Sequence, residues 1–239
     1  MKNINNFAGM KKYKHIFFDL DRTLWDFETN SIQTLNEIFY NLSLDKKIGD
    51  FNNFLKIYKP NNEKLWNQYR NGKLKKEILR YKRFEDVLVY FGINDVALAK
   101  KIGDDYVYNG PLKKKLFPDT IEILEYLKKK YPLYIITNGF KEVQEVKMKT
   151  SDIDKYFQHV FISEDIGWQK PNIEIFNYVL KYVNAKPKDS LIIGDDLKVD
   201  ILGAKNAGID GVYFNPKKLD HNEKPAYEIN CLIYLQKIL

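Results

Sequence analysis

The chain has 239 residues, 44% of them apolar and 15% aromatic, enough for one sizeable core or for a core carrying an inserted second unit. No window is apolar enough to span a membrane, no internal repeat or low-complexity tract occurs, and a single cysteine excludes an internal disulfide framework and fits a reducing, cytoplasmic setting. The formal charge of +7 favours anionic ligands weakly, but the lysines are dispersed in short groups such as Lys113 to Lys115 and Lys128 to Lys130, read as solvated, so no nucleic-acid polymer is expected as partner.

Residues Met1 to Lys12 are polar, lack the apolar stretch of a signal peptide and read as a loose tail. His15-Ile16-Phe17-Phe18 then reads as a short strand of a parallel sheet, with Asp19-Leu20-Asp21-Arg22-Thr23-Leu24 just beyond its carboxyl end, where open α/β sheets bind ligands. Asp19 and Asp21 share a face only if the extended geometry persists past Phe18. Two carboxylates so close repel unless a cation lies between them or one keeps a proton. A divalent cation would leave one nucleophilic, while the other could serve as general acid. The alternative is an ordinary solvated turn.

From about Thr29 to Lys114 the pattern is helical. Ile32, Leu35, Phe39 and Leu42 recur at helical spacing, as do Phe84, Val87, Leu88 and Phe91 before Gly92, a helix stop. Leu65, Trp66 and Tyr69, then Ile78 and Leu79, indicate further helices, and no strand intervenes. The expected organisation is thus a tail at 1–12, a core formed by 13–28 and 115–239, and a helical cap at 29–114. An insertion at the carboxyl end of the first strand would stand over the ligand crevice as a lid. Trp25 and Phe27 lie where the chain enters it, and Arg80, Tyr81 and Arg83 cluster inside it. Aromatic faces and guanidinium groups could meet a ligand there, or could simply pack and be solvated.

Pro118-Asp119-Thr120 opens a helix over Ile121 to Lys130, after which strand and helix alternate. Apolar runs at Leu133 to Ile136, Val160 to Ile162, Leu191 to Ile193 and Gly211 to Phe214 are separated by amphipathic stretches at Phe140 to Lys149, Ile173 to Val183 and Val199 to Ala207. This is the pattern of a parallel sheet covered on both faces. Polar residues follow the runs. Thr137-Asn138-Gly139 offers a hydroxyl, an amide and a glycine at a helix start, suited to a phosphate oxygen or to a plain helix cap. Lys170-Pro171 places a cation just before a helix amino terminus, unfavourable on dipole grounds unless the ammonium serves a site, with an exposed lysine as the alternative. Gly194-Asp195-Asp196 and Asp200 gather three carboxylates that call for a cation, and hard oxygen ligands favour Mg²⁺, although one of Asp195 and Asp196 is expected to cap the next helix. Cys231, among apolar neighbours, reads as a buried thiol.

Asp-x-Asp-x-Thr after strand one, Thr137 after a second strand, Lys170-Pro171 after a third and Gly194-Asp195 with Asp200 after a fourth resemble, in order and spacing, the haloacid dehalogenase superfamily, over the whole chain apart from the tail. The resemblance implies an α/β fold, a Rossmann-like parallel sheet core with an inserted α-helical cap, and Mg²⁺ as cofactor. It implies that Asp19 is the nucleophile that becomes an aspartyl phosphate, that Asp21 is the general acid and base, and that Thr137 and Lys170 hold the phosphoryl group. Asp195 would bind Mg²⁺ with Asp19 and the Asp21 carbonyl; Asp200 would orient Lys170 or a metal-bound water. Asn138 and Gly139 are further substrate-binding candidates from the same turn, and Trp25 and Arg80 are those from the cap region. Asp196 stands where many relatives have Ser or Thr.

Within the superfamily, Asp19-Leu20-Asp21-Arg22-Thr23-Leu24-Trp25-Asp26-Phe27, Ile136-Thr137-Asn138-Gly139-Phe140 and Ile162-Ser163-Glu164-Asp165-Ile166-Gly167 with Lys170-Pro171-Asn172 are similar to the noncanonical pyrimidine nucleotidases. That resemblance implies a small phosphorylated metabolite as partner, a nucleoside 5'-monophosphate. Apart from it, the chain is expected to be a monomer or homodimer, with no membrane partner. The alternatives are a sugar-phosphate phosphatase, a phosphoglucomutase-like phosphotransferase, a dehalogenase and a noncatalytic binding module. A dehalogenase expels halide and does not need the proton that Asp21 would give.

Overall fold

The computed structural model describes residues 13–239, so the tail expected at 1–12 lies outside the described residues. Among the described residues six parallel strands form one sheet in the order β3-β2-β1-β4-β5-β6: β1 (His15–Phe18), β2 (Leu133–Thr137), β3 (His159–Ile162), β4 (Ser190–Gly194), β5 (Asp210–Phe214) and β6 (Tyr227–Ile229). The first five match the apolar runs. β6 has no counterpart in the sequence pattern, because three residues with one buried side chain are too short for a periodic signal. β1 lies between β2 and β4, with Phe17 opposite Tyr134 on one side and Ile192 on the other. The strand order therefore reverses at β1, which is where open α/β sheets form their ligand crevice.

Two compact units emerge. The first comprises the described residues up to Asp26, Leu116–Glu142 and Ser151–Leu239; the second comprises Phe27–Lys115 and Val143–Thr150. The sequence pattern alone places Val143–Thr150 with the core; its Lys147 is buried, with the ammonium 5.7 Å from the Phe27 ring.

The second unit consists mainly of five helices after β1: α1 (Phe27–Asn41), α2 (Asp45–Ile48), α3 (Phe51–Arg70), α4 (Lys76–Tyr90) and α5 (Val96–Asn109). The separate helical signals at 65–69 and 78–91 prove to be parts of α3 and α4. α5 gives no clear signal in the sequence, because its apolar spacing is diluted by Lys100, Lys101, Asp104 and Asp105. Asp50 and Asp95 cap α3 and α5 by accepting the N–H groups of Asn52 and Leu98. Gly92, at φ +75°, ends α4 as expected.

Phe39, Phe51, Phe54, Tyr58 and Phe84 form the aromatic centre of this unit. Gly103 lets α5 approach α4, since a Cβ there would lie 2.6 Å from the Arg80 carbonyl oxygen. Arg83 is not solvated. It is 3% exposed, donates to Asn62 Oδ1 (3.2 Å) and lies 4.9 and 4.7 Å from the Phe84 and Tyr106 ring centres. A cation taken out of water here is compensated by ring faces and carbonyl dipoles.

In the first unit, α6 (Thr120–Lys128) follows Asp119, which sits at φ +65°. Thr120 Oγ1 donates to the Phe117 carbonyl at 2.8 Å. α7 (Lys141–Thr150), α8 (Ser163–Ile166), α9 (Ile173–Tyr182) and α10 (Gly203–Asn206) complete the helices, with a π-helical turn at Leu197–Leu202 before α10. Phe17, Ile136, Phe176, Val179, Ile192 and Ala204 pack into one core.

Two expectations need correction. Cys231 is exposed, because Ile229 and Leu232 turn inward on either side of it. Lys113 is largely covered and pairs with Glu37 at 2.6 Å. Among the described residues no helix is long and apolar enough to cross a membrane.

Candidate active site

The ends of β1, β2 and β4 lie side by side, and the polar residues that follow them meet there. β1 does not stop its pairing at Phe18: the Asp19 N–H donates to the Ile193 carbonyl at 2.9 Å. Beyond it Leu20 is wholly buried and Asp21 half-buried. The chain then turns back. The Leu20 carbonyl accepts from Leu24 (3.0 Å) and Trp25 (2.9 Å), with Arg22 in the left-handed region at φ +65°. Inside this turn the buried Thr23 reaches Asp19 Oδ2 through its hydroxyl at 3.4 Å, a support to which the sequence motif by itself gives no role.

Lys170 is the hub. It is 1% exposed, and its ammonium donates to Asp19 Oδ1 (2.7 Å), Asp200 Oδ1 (2.6 Å) and the Ile136 carbonyl (2.7 Å). All three ammonium hydrogens are thereby committed. Burial alone would lower the Lys170 pKa, but the charges and hydrogen bonds of Asp19 and Asp200 outweigh it and hold it above its ordinary value. The dipole argument that singled out this lysine does not apply as stated. Pro171 precedes the cap of α9, and that cap is Asn172, whose side chain accepts the Glu174 N–H at 3.0 Å.

The loop after β4 brings the remaining carboxylates. Asp196 is the cap, accepting from the Lys198 and Val199 N–H groups at 2.9 Å each. Asp200 is buried and accepts the Asp196 N–H at 3.1 Å through its second oxygen. A Cβ on Gly194 would lie 2.5 Å from that carboxylate, so glycine at the end of β4 makes room for Asp200. Asp19, Asp195 and Asp200 each place one oxygen within 4.8 Å of the others. Burial raises the pKa of all three. Asp200 and Asp21 add to the effect at Asp19, Asp19 and Asp200 add to it at Asp195, and Lys170 opposes it at Asp19 and Asp200.

The turn after β2 is satisfied locally. Gly139 donates its N–H to Thr137 Oγ1 (3.1 Å), and Glu164 Oε2 takes the Lys141 N–H at the start of α7 (2.7 Å). The Asn138 side chain is engaged with Lys170. Its Nδ2 donates to the Lys170 carbonyl (2.8 Å) and its Oδ1 accepts the Lys170 N–H (2.9 Å). Sequence reasoning offers that amide to a phosphate and cannot see the pairing, which joins residues 32 positions apart.

Trp25 is 2% exposed, and its main chain bridges Asp21 on one side and Leu116 on the other. Arg80 belongs to the helical unit, where its guanidinium lies 3.6 Å from Asp104.

Two carboxylates on one buried ammonium, with a third carboxylate beside them at the switch point of a parallel sheet, make a site with hard oxygen ligands, a buried cation and a carboxylate with a hydrogen-bonded neighbour. Comparison with known proteins agrees with this chemistry. Residues 13–208 match the family model described as haloacid dehalogenase-like hydrolase. YfnB of Bacillus subtilis is 32% identical over 234 residues, covering 96% of this chain and 97% of that protein. Its crystal structure, described as bound to magnesium and as revealing interdomain movement, superposes with a TM-score of 0.87 at 31% identity, covering 95% of this chain and 99% of that one. Pyrimidine 5'-nucleotidase PynA of Streptococcus pneumoniae is 29% identical over 91% of each chain, and pyrimidine 5'-nucleotidase YjjG of Escherichia coli is 29% identical over 95% of this chain and 98% of its own. With its Rossmann-like core, its helical segment inserted after β1 and its ordered acidic and lysine motifs, the chain belongs to the haloacid dehalogenase-like hydrolases.

Proposed function

We propose that the protein is a Mg²⁺-dependent phosphomonoester hydrolase that works through an aspartyl phosphate and acts on nucleoside 5'-monophosphates. The observation that carries this reading is the buried Lys170 ammonium bridging Asp19 and Asp200 beside Asp195, with Asp21 two residues from Asp19. Asp19 attacks phosphorus as the ester P–O bond breaks, and Asp21 gives the departing alkoxide its proton. Asp21, now a base, takes a proton from water as the water oxygen attacks phosphorus and the Asp19–phosphorus bond breaks, which releases inorganic phosphate and restores both groups. Lys170 and Thr137 hold phosphoryl oxygens by exchanging present hydrogen bonds for new ones.

The carboxylate set fits a hard divalent cation. Asp19, Asp195 and the Asp21 carbonyl would hold Mg²⁺, while Asp200 keeps Lys170 in place. When bound, the cation supplies charge neutralisation for the carboxylates and for the anionic phosphoryl group. Nucleotides are favoured as substrates by the two relatives named pyrimidine 5'-nucleotidases, which this chain matches over nearly its full length. The general acid favours phosphate over halide release. The intact set of acidic groups and Lys170 favours an enzyme over a binding module.

A panel of nucleoside monophosphates, sugar phosphates and 2-haloacids, assayed with Mg²⁺ and with excess chelator, tests the reading. Phosphate release from pyrimidine monophosphates that requires Mg²⁺ is expected. Halide release, full activity in chelator, or transfer of phosphate to a second sugar in place of water would overturn it.

The metal part has its own pH signature. Burial pushes the Asp19 carboxyl up to about 7, above its unfolded value, so the metal-free folded protein holds a proton there that the unfolded chain gives up at lower pH. Stability of the metal-free protein should therefore fall as pH rises through that range, and Mg²⁺ should bind more tightly as the proton leaves. Thermal unfolding with and without Mg²⁺ is expected to show a larger stabilisation at about pH 8 than at about pH 6. An equal shift at both would remove Asp19 from the ligand set.

Substrate choice is assigned to the helical unit. Arg80→Ala is expected to raise KM for a nucleotide several-fold while leaving a small generic phosphate ester unaffected, because the reacting groups lie in the other unit. Equal changes for both substrates would return Arg80 to its structural pairing with Asp104.

A further inference from the structure

We infer that Asn138 is the positioning residue for Lys170, not a ligand of the phosphoryl group; the inference rests on the reading of Lys170 as the cation of a phosphoryl site. The end of β2 grips this lysine at both ends. The Ile136 carbonyl accepts from the ammonium at 2.7 Å, and two residues later the Asn138 amide pairs with the Lys170 main chain in both directions, donating at 2.8 Å and accepting at 2.9 Å. A carboxamide is the one short side chain that can meet a peptide N–H and C=O at once, and the pairing fixes which way it must face. Asp could keep the acceptor but would set an oxygen against the Lys170 carbonyl; Ser or Thr could not span both.

Lys170 lies in the loop between α8 and α9, with no strand or long helix of its own to fix its height above the sheet. Its ammonium must nevertheless reach Asp19 and Asp200 from a side chain with four rotatable bonds. Anchoring the main chain to the strand that also carries Thr137 puts the root of Lys170 and the hydroxyl of Thr137 on one rigid element. Asn138 thereby sets the separation between the two groups that hold the phosphoryl oxygens. Its side chain is partly buried but not part of either hydrophobic core, so its loss need not cost the fold.

The test uses Asn138→Ala and Asn138→Asp in the full chain, with three readouts. Steady-state kinetics on a phosphomonoester that the wild type hydrolyses should show kcat lowered on the order of 10²-fold in both variants with KM little changed, because displacement of a reacting group by about 1 Å costs that much. Acylation by an amine-directed reagent, located by peptide mass spectrometry, should leave Lys170 protected in the wild type and labelled in both variants. Thermal unfolding should stay close to wild type. Normal kcat in either variant, a rise in KM with kcat unchanged, or Lys170 still protected in both variants would overturn the assignment, the second by making Asn138 a substrate ligand. The labelling does not depend on turnover. If the wild type hydrolyses no phosphomonoester while labelling follows the expected pattern, the proposed activity fails and the anchoring of Lys170 stands.

Discussion

Replacement of Asp19 by Asn is expected to leave no measurable turnover and no phosphoenzyme, whereas Asp21→Asn should leave a residue of activity that depends on the leaving group. The two carboxylates are two positions apart but sit differently. Asp19 is buried, bonded to the Lys170 ammonium at 2.7 Å and approached by the Thr23 hydroxyl, which fixes one oxygen against a cation and holds the group in place. An amide at that position is a poor nucleophile and also removes the charge that faces Lys170, so no later step can begin. Asp21 is only half-buried and is asked to move a proton, a contribution worth roughly 10²–10⁴-fold. A nitrophenolate departs without that proton, so the Asp21→Asn variant should lose much less on a nitrophenyl phosphate than on a nucleotide. Equal losses on both esters would remove Asp21 as the acid. Incorporation of phosphate into the Asp19→Asn protein would remove Asp19 as the nucleophile.

Lys170→Met should have the largest effect on stability, and its size should depend on pH. The substitution keeps much of the side-chain volume but leaves Asp19 and Asp200, both buried, facing one another with no cation between them. Removing one partner of a buried pair costs about 3–5 kcal/mol when the other is left charged. The carboxylates can escape that cost by taking up protons. Their folded pKa values are raised above the unfolded ones already, and without the opposing charge of Lys170 they would rise further. The folded variant therefore binds more protons than the unfolded chain, and its stability falls as pH rises above the unfolded carboxylate value of about 4. Lys170 itself adds no slope in this range, because its raised pKa keeps it charged in both states below about pH 10. In chelator, the deficit of the variant relative to wild type should be small near about pH 5 and approach the full value near about pH 8. Denaturant unfolding at the two pH values measures it directly. A deficit that does not change between them would mean that the carboxylates are not the source.

What the sequence determined by itself was the set of chemical groups and the strand ends behind which they stand. Asp19, Asp21, Thr137, Lys170, Asp195 and Asp200 are legible because each comes after a short apolar run, and five such runs with helical patterns between them specify a parallel sheet whose carboxyl edge collects the polar residues beyond each strand. The inserted helical segment is legible for the same reason, since a period of 3.6 persists from α1 to α4 without an interruption of period 2. α5 and β6 are hidden where charge dilutes the pattern or where the element is too short to have one. The tertiary structure alone decided which groups pair. The Lys170 ammonium meets an Asp 151 positions away only because β1 is placed between β2 and β4, and nothing local to either residue encodes that neighbour. The same holds for the Asn138 amide, which any sequence reading offers equally to a ligand or to main chain, for Trp25, which is buried, and for Arg83, buried against Phe84 and Tyr106 when a solvated arginine was the simpler expectation. Periodicity tells which face of an element is apolar; which element covers that face, and which polar group is left to satisfy another, is fixed only when the whole chain has packed.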